Sequence, residues 1–206
     1  MKILVVGGGG REHALVWRLA RDSAKPDLFC APGNAGTAAL AQNLAIEASD
    51  GAGLLAWARR ERPDLTVVGP EAPLCEGLVD VFQAEGLAAF GPCREAARLE
   101  GSKVFSKEVM VRAGVPTARA EAFNAFEPAA AHVRRLGGPA VIKADGLAAG
   151  KGVLICPTPE SAEEALREAM VRRAFGEAGR QVLVEEFLEG EEVSVLAFVD
   201  GANVAL

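Results

Sequence analysis

The sequence predicts an α/β fold in two parts: an open, mostly parallel sheet with helices on both faces, then a smaller α+β lobe. Two observations carry this. Over the first 92 residues, apolar runs of strand length alternate with segments of helical periodicity, the pattern of βα repeats on a parallel sheet. After Thr117 the rhythm restarts and reaches Ala140-Val141-Ile142, a glycine loop and Val153-Leu154-Ile155, which reads as two strands around a loop. The chain has 206 residues, of which 50% are apolar, so packed cores are expected.

Lys2-Ile3-Leu4-Val5-Val6 reads as the first strand and runs into Gly7-Gly8-Gly9-Gly10. Arg11 to Arg21 then sets Ala14, Leu15, Arg18 and Leu19 at helical spacing, with Trp17 adjoining that side. Such a turn presents backbone N–H groups at a helix N-terminus, where a phosphate or carboxylate can bind, and Arg11 adds a cation. A dinucleotide fingerprint is the rival reading. It fits worse: Gly7-x-Gly9-x-x-Glu12 and Gly8-x-Gly10-x-x-His13 lack the third glycine, and Leu28-Phe29-Cys30 ends in Ala31-Pro32 where a ribose-binding acid is wanted. Use of the glycines for a tight turn alone is the plainer alternative.

Pro32 to Thr37 is a second glycine-bearing loop after a strand, and Asn43 to Ile46 a short third strand. Ser49 or Asp50 caps a helix carrying Leu54, Leu55, Trp57 and Ala58, which stops before Pro63 and gives the strand Leu65 to Val68. Gly69-Pro70-Glu71-Ala72-Pro73-Leu74 then places Glu71 at the C-terminal edge of a parallel strand, where open sheets bind ligands. A solvated glutamate at a helix N-terminus is the equal alternative. Gly77 to Ala84 reads as a helix and Leu87 to Phe90 as the fifth strand, closed by Gly91-Pro92. Helices over Arg94 to Leu99 and Ser102 to Arg112, the second capped by Ser102 and ending near Gly114 and Pro116, form the junction. The sheet domain is expected to end near residue 92 and the helical junction near residue 116.

In the second part, Ala120 to Phe123 reads as a strand and Glu127 to Leu136 as a helix. The loop after Ile142 carries Lys143 and Lys151 among Gly146, Gly150 and Gly152, which suits a polyphosphate: glycines aim successive amides into one concavity and lysines add charge. A solvated hairpin with incidental lysines is the bland reading. A Walker A loop needs four residues between its glycines, Ser or Thr after the lysine, and a helix next; here three residues separate Gly146 from Gly150, Gly152 follows Lys151, and a strand comes after. Ser161 to Val171 reads as helix and Gln181 to Phe187 as strand. Glu191 to Val199 alternates, Val193, Val195, Ala197 and Val199 sharing one face, before a hairpin at Asp200-Gly201 and a returning strand from Val204. Stopping inside that strand leaves an open sheet edge, so the chain is expected to be the front part of a longer protein.

The net charge of -6 argues against a nucleic-acid partner. Cys30, Cys75, Cys93 and Cys156 are scattered and only His13 and His132 could join them, so no zinc site and reduced thiols are expected. With no signal-peptide pattern and no apolar run near the roughly 20 residues of a membrane span, a cytoplasmic protein without membrane contact is expected. A monomer is the expected state.

Gly8-Gly9-Gly10-Arg11-Glu12-His13-Ala14-Leu15, Ala31 to Thr37, Val68 to Leu74, Leu99-Glu100-Gly101-Ser102-Lys103, Ile142 to Val153 and Glu185-Glu186-Phe187-Leu188 together resemble the phosphoribosylamine-glycine ligase (glycinamide ribonucleotide synthetase) family of the ATP-grasp superfamily, across the whole chain. The resemblance implies a Rossmann-like substrate-binding domain over 1–100 and the front part of an ATP-grasp domain over 101–206. It implies a step of purine biosynthesis: ATP phosphorylates the glycine carboxylate, the amine of 5-phosphoribosylamine attacks the acyl phosphate, and ADP, phosphate and glycinamide ribonucleotide leave. Mg²⁺, or Mn²⁺, would serve with ATP. Such chemistry needs positioning and charge neutralisation rather than a nucleophilic side chain, so no catalytic residue is assigned.

By the same resemblance, Lys103 and Lys143 would contact ATP phosphates. Residues 145 to 152, with Asp145, Gly146, Gly150, Lys151 and Gly152, would form a flap that is mobile without nucleotide. Glu185, Glu186, Phe187 and Leu188 would hold adenine, Glu186 and Leu188 through their backbone, and Glu192 the ribose. Phosphoribosylamine would sit at Gly8, Gly9, Gly10 and Arg11, at Gly33, Asn34 and Gly36, and at Pro70 and Glu71. Metal ligands and much of the glycine site are expected beyond residue 206, so 206 residues alone should fail to turn over. A non-catalytic nucleotide-binding fragment is the alternative.

Overall fold

The computed structural model describes residues 1–148 and 151–206. Strand β1 (Lys2–Gly7) is an apolar run covered on both faces, as a central parallel strand must be, and Ile3 to Val6 are fully buried. Around it lie β2 (Asp27–Pro32), β3 (Gln42–Asn43), β4 (Leu65–Val68) and β5 (Ala89–Phe90), in the order β3-β2-β1-β4-β5. Every pairing in this sheet is parallel. Alternate residues of β1 serve opposite faces. Leu4 and Val6 pack with Leu54, Trp57 and Phe82 on one side, while Ile3 and Val5 pack with Val16, Leu28 and Cys30 on the other.

The register decides where function can lie. Gly7 faces Pro32 across β1 and β2, and Val6 faces Val68 across β1 and β4, so the loops after all three strands emerge at one sheet edge. Helix α1 (Gly10–Leu19) follows β1, and α2 (Gly51–Glu61) precedes β4 with Asp50 as its cap, accepting from the Gly53 amide at 2.9 Å. Between β4 and β5 the chain forms two helices, α3 (Glu71–Glu76) and α4 (Leu78–Ala84), rather than the single helix expected from Gly77. Gly77 at φ +89° ends the first and opens the second. Pro73 suggested a loop, but it falls in the first turn of α3, where no intrahelical N–H is needed. The third and fifth strands are two residues each, shorter than expected, as sheet-edge strands often are.

Helices α5 (Arg94–Gly101) and α6 (Lys103–Arg112) cross to the second unit, and Ser102 caps α6 by accepting from the Phe105 amide at 3.1 Å. There β6 (Ala120–Phe123), β7 (Ala140–Ala144), β8 (Val153–Cys156) and β9 (Val182–Glu186) form an antiparallel sheet in the order β6-β9-β7-β8. A strand follows Gly152, which excludes a P-loop. Helices α7 (Phe126–Leu136) and α8 (Pro159–Leu166), the latter continued by a π turn over Arg167–Val171, cover one face through Ala129, Val133, Ala162 and Leu166. Ala140, Ile142 and Ala144 point into that core, so Val141 and Lys143 point to the opposite face.

The strand expected over Glu191 to Val199 is a departure. Only Phe198–Val199 (β10) is strand, paired in a hairpin with Val204–Ala205 (β11). Alternation supplies a face but not a neighbour, and among the described residues 191–197 pair with no other strand; Val193, Val195 and Leu196 are exposed. The hairpin turn itself forms as read, with the Asp200 carboxylate accepting from the Asn203 side chain and from the Asn203 and Ala202 amides, which lowers its pKa to about 2.

Candidate functional site

The three loops at the edge of the parallel sheet meet as the sequence indicates. The Asn34 side chain donates to the Gly8 and Gly9 carbonyls at 3.0 and 3.4 Å, and its carbonyl oxygen accepts from the Gly36 amide at 2.8 Å. Gly36 packs on the His13 ring so closely that a Cβ there would overlap it. Arg11 reaches the third loop, donating to the Gly69 carbonyl at 3.0 Å and to Glu71 at 2.7 Å, so Pro70 and Glu71 join Gly33, Asn34 and Gly36 at one edge.

The glycine turn is less open to an anion than expected. Buried Glu12 accepts from the Gly9 amide at 2.7 Å, so that N–H is spent on a protein carboxylate. A glutamate three residues after a helix cap is the capping-box position, and the signal was present in Gly9-Arg11-Glu12 spacing. Glu12 also explains Gly69, where a Cβ would collide with its side chain. Gly10 has open space around it.

Arg11 beside Glu71 holds that carboxyl below the usual carboxylate range, chiefly through their hydrogen bond. A depressed folded-state pKa contributes stability above the unfolded value, lost as pH falls through the folded one. Replacing Arg11 with Met is therefore expected to move the Glu71 titration upward, toward the unperturbed 4.3 or so. Side-chain carboxyl NMR reads this directly; an unmoved titration would show that Arg11 does not control Glu71.

In the second unit, the glycine loop leaves β7 and returns as β8, its neck closed by the Ala144 amide on the Gly152 carbonyl at 2.8 Å. Asp145 turns to the start of α6. Its carboxylate accepts from Ser102 Oγ at 3.0 and 3.1 Å and from the Val104 amide at 3.1 Å, an anion at the N-terminus of α6. Lys103 Nζ donates to the Gly146 carbonyl at 2.8 Å, so the start of α6 grips the start of the loop. Gly150 lies outside the described residues, and with it the centre of the expected flap; Lys151 is exposed.

Lys143 and Glu185 are diagonal neighbours on the face of β7 and β9 opposite the apolar core, because Val141 faces Glu185 and Lys143 faces Leu183. The Lys143 ammonium lies 2.6 Å from Glu185 Oε2. The other Glu185 oxygen lies 2.9 Å from Lys107, a buried lysine that the sequence reading missed. Its signal was the four-residue spacing from Lys103, which puts both on one side of α6. The Glu186 amide is spent on the Arg119 carbonyl at 2.9 Å, and its carboxylate accepts from the Arg119 amide and Nε at 2.8 Å each, so of its backbone only the carbonyl could serve a base.

Two cavities flank β8 and share Val153. One, about 660 Å³, is lined by Val141, Lys143, Ile155, Glu185 to Leu188, and Glu192. The other, about 630 Å³, is lined by Arg11, Pro70, Glu71, Lys103, Gly146 and Gly152, and so joins the sheet edge to the glycine loop. Glu191 lines the first cavity beside Glu192. Among the described residues no group of three or more His, Cys, Asp and Glu could hold a metal ion, and no helix is long and apolar enough to cross a membrane.

Comparison with known proteins matches two family models: "Phosphoribosylglycinamide synthetase, N domain" over residues 1–100, and "Phosphoribosylglycinamide synthetase, ATP-grasp (A) domain" over residues 101–206. An Escherichia coli phosphoribosylamine-glycine ligase is 53% identical over 206 residues, and one from Pasteurella multocida 52%, each match covering 99% of this chain and 48% of the relative. The crystal structure of the Thermotoga maritima phosphoribosylamine-glycine ligase superposes with a TM-score of 0.82 at 35% identity, over 99% of this chain and 48% of that one. The biotin carboxylase domain of Hydrogenobacter thermophilus 2-oxoglutarate carboxylase, solved with MgADP, ADP and bicarbonate, shares the fold at a TM-score of 0.69 and 24% identity, over 91% of this chain and 44% of that one. The chain spans about half the length of the curated relatives it matches.

Proposed function

The chain belongs to the phosphoribosylglycinamide synthetase family, and from that premise we propose that it provides the nucleotide site and the phosphoribosylamine-facing edge of an ADP-forming ligase that joins glycine to 5-phosphoribosylamine in purine biosynthesis. The observation that carries this reading is the pair of cavities meeting at Val153, one walled by Lys143 and Glu185 to Leu188, the other by the glycine loop and the sheet edge. ATP would occupy the first, with adenine near Glu186, Phe187 and Leu188, ribose at Glu192 and phosphates at Lys143. Its terminal phosphate would point past Val153 toward Lys103, Gly146, Lys151 and Gly152. Phosphoribosylamine would enter from Arg11, Asn34 and Glu71.

Glycyl phosphate forms when the glycine carboxylate takes the terminal phosphoryl group and ADP leaves; the phosphoribosylamine nitrogen then attacks the acyl carbon and phosphate departs. What the protein contributes is alignment and positive charge where the phosphoryl group passes. Mg²⁺, or Mn²⁺ in its place, would arrive on the ATP phosphates. The described residues offer it no cluster of three or more His, Cys, Asp and Glu. Residues 1–100 and 101–206 as separate domains, a cytoplasmic location and a monomeric state belong to the same proposal.

The test is ADP release by this chain extended to the length of its relatives. Release that requires both glycine and 5-phosphoribosylamine is expected. Release that ignores glycine would overturn the reading.

A further inference from the structure

We propose that Lys107 is a positioning residue for the nucleotide phosphates: it occupies one oxygen of Glu185 and so leaves Lys143, on the other oxygen, a net cation at the cavity wall. This rests on the reading of Lys143 as a phosphate ligand. Lys107 cannot touch a ligand itself. Its Nζ lies 2.6 Å from Thr117 Oγ1, 2.9 Å from the Ala118 carbonyl and 2.9 Å from Glu185 Oε1, so all three N–H groups have acceptors, and the residue is only 8% exposed.

Lys143 is placed differently. Its side chain is 29% exposed, it lines the cavity beside Val141 and Ile155, and among the described residues Glu185 is its one partner, which leaves N–H groups for an incoming anion. The charge balance follows from counting. A lone Lys143–Glu185 pair would be neutral, whereas two lysines on one buried carboxylate carry a single positive charge, set in a wall whose other charged groups are Glu186, paired with Arg119, and Glu189, Glu191 and Glu192. Screening by salt is slight where Glu185 is buried, so that extra charge is felt at the cavity wall.

The experiment is calorimetric ATP titration of this chain as wild type, Lys107→Met, Glu185→Gln and the double variant, with circular dichroism to check folding. Lys107→Met should weaken ATP up to about tenfold, because Lys143, then held by the whole Glu185 carboxylate, gives up most of one charge-assisted hydrogen bond to phosphate. Adding Glu185→Gln restores the single positive charge, so the double variant should bind ATP several-fold more tightly than Lys107→Met; Glu185→Gln alone gives the part of any loss that comes from the adenine side, where Glu185 also lies. A double variant as weak as Lys107→Met would overturn the proposal, because a residue that only packs is not rescued by removing its counter-charge.

A second measurement needs no nucleotide. Acetic anhydride should acetylate Lys143 several-fold more slowly in Lys107→Met, where the whole carboxylate holds that ammonium; an equal or faster rate, read by mass spectrometry, overturns the proposal. If this chain binds no ATP, the same four proteins are titrated at the full length of its relatives; absence of binding there overturns the phosphate reading of Lys143, and acetylation then decides the role of Lys107. Should Lys107→Met not fold, Lys107→Gln, which keeps a donor for Thr117 and Ala118, takes its place with the same outcomes.

Discussion

Replacing Lys143 with methionine is expected to weaken ATP binding about tenfold to hundredfold while leaving the fold intact. The magnitude is that of one charge-assisted hydrogen bond, roughly 1.5 to 3 kcal/mol. The fold should survive because Lys143 lies on the face of β7 opposite Ile142, outside the apolar cluster of the second unit. Glu185 also keeps a partner, since Lys107 remains 2.9 Å away and a buried neutral pair is left behind. Methionine keeps the aliphatic stem against Val141 and Ile155. Calorimetry gives the affinity and thermal melting the control. Equal affinities in two well-folded proteins would leave Lys143 an ordinary half-buried lysine whose job is to pair with Glu185.

Glu185→Ala should do the opposite, costing stability first. Glu185 is 7% exposed on its side chain and joins two lysines, one of them as buried as itself. Truncation leaves Lys107 charged, buried and short of one acceptor, and breaking a buried pair in this way costs about 3 to 5 kcal/mol. For a chain of this size that is a fall in melting temperature of roughly 6 to 20 °C. Glu185→Gln should fall less, because the amide oxygen still accepts from Lys107. A drop of less than about 2 °C for Glu185→Ala would mean that water reaches Lys107 once the carboxylate is gone.

Much of this was legible because local chemistry and tertiary structure agree. Ile3 to Val6 could only be a doubly covered strand, and Gly152 followed by Val153-Leu154-Ile155 could only return as a strand, so the sheet edge and the loop were found from residue type alone. Other features depended on partners that are distant in the chain. Lys107 and Glu185 are 78 positions apart and meet only once β9 pairs with β7 against α6, so neither the buried triad nor the capture of Lys143 by Glu185 can be read from spacing. The resemblance places Asp145 in the flap; only the fold brings Ser102 and the start of α6 to its carboxylate. Strand pattern misled at Glu191 to Ala197, where alternation was present and a neighbour was not. Glu12 is a different case, since its capping position was visible and the glycines beside it drew the attention instead.

The most direct test of the central claim is a crystal structure of this chain with ADP bound. The account predicts a phosphate oxygen within about 3.2 Å of Lys143 Nζ, with the adenine against Glu186 to Leu188 in the cavity beside β8. A diphosphate seated instead on the Gly8 to Arg11 turn, with the Lys143 cavity empty, would contradict it.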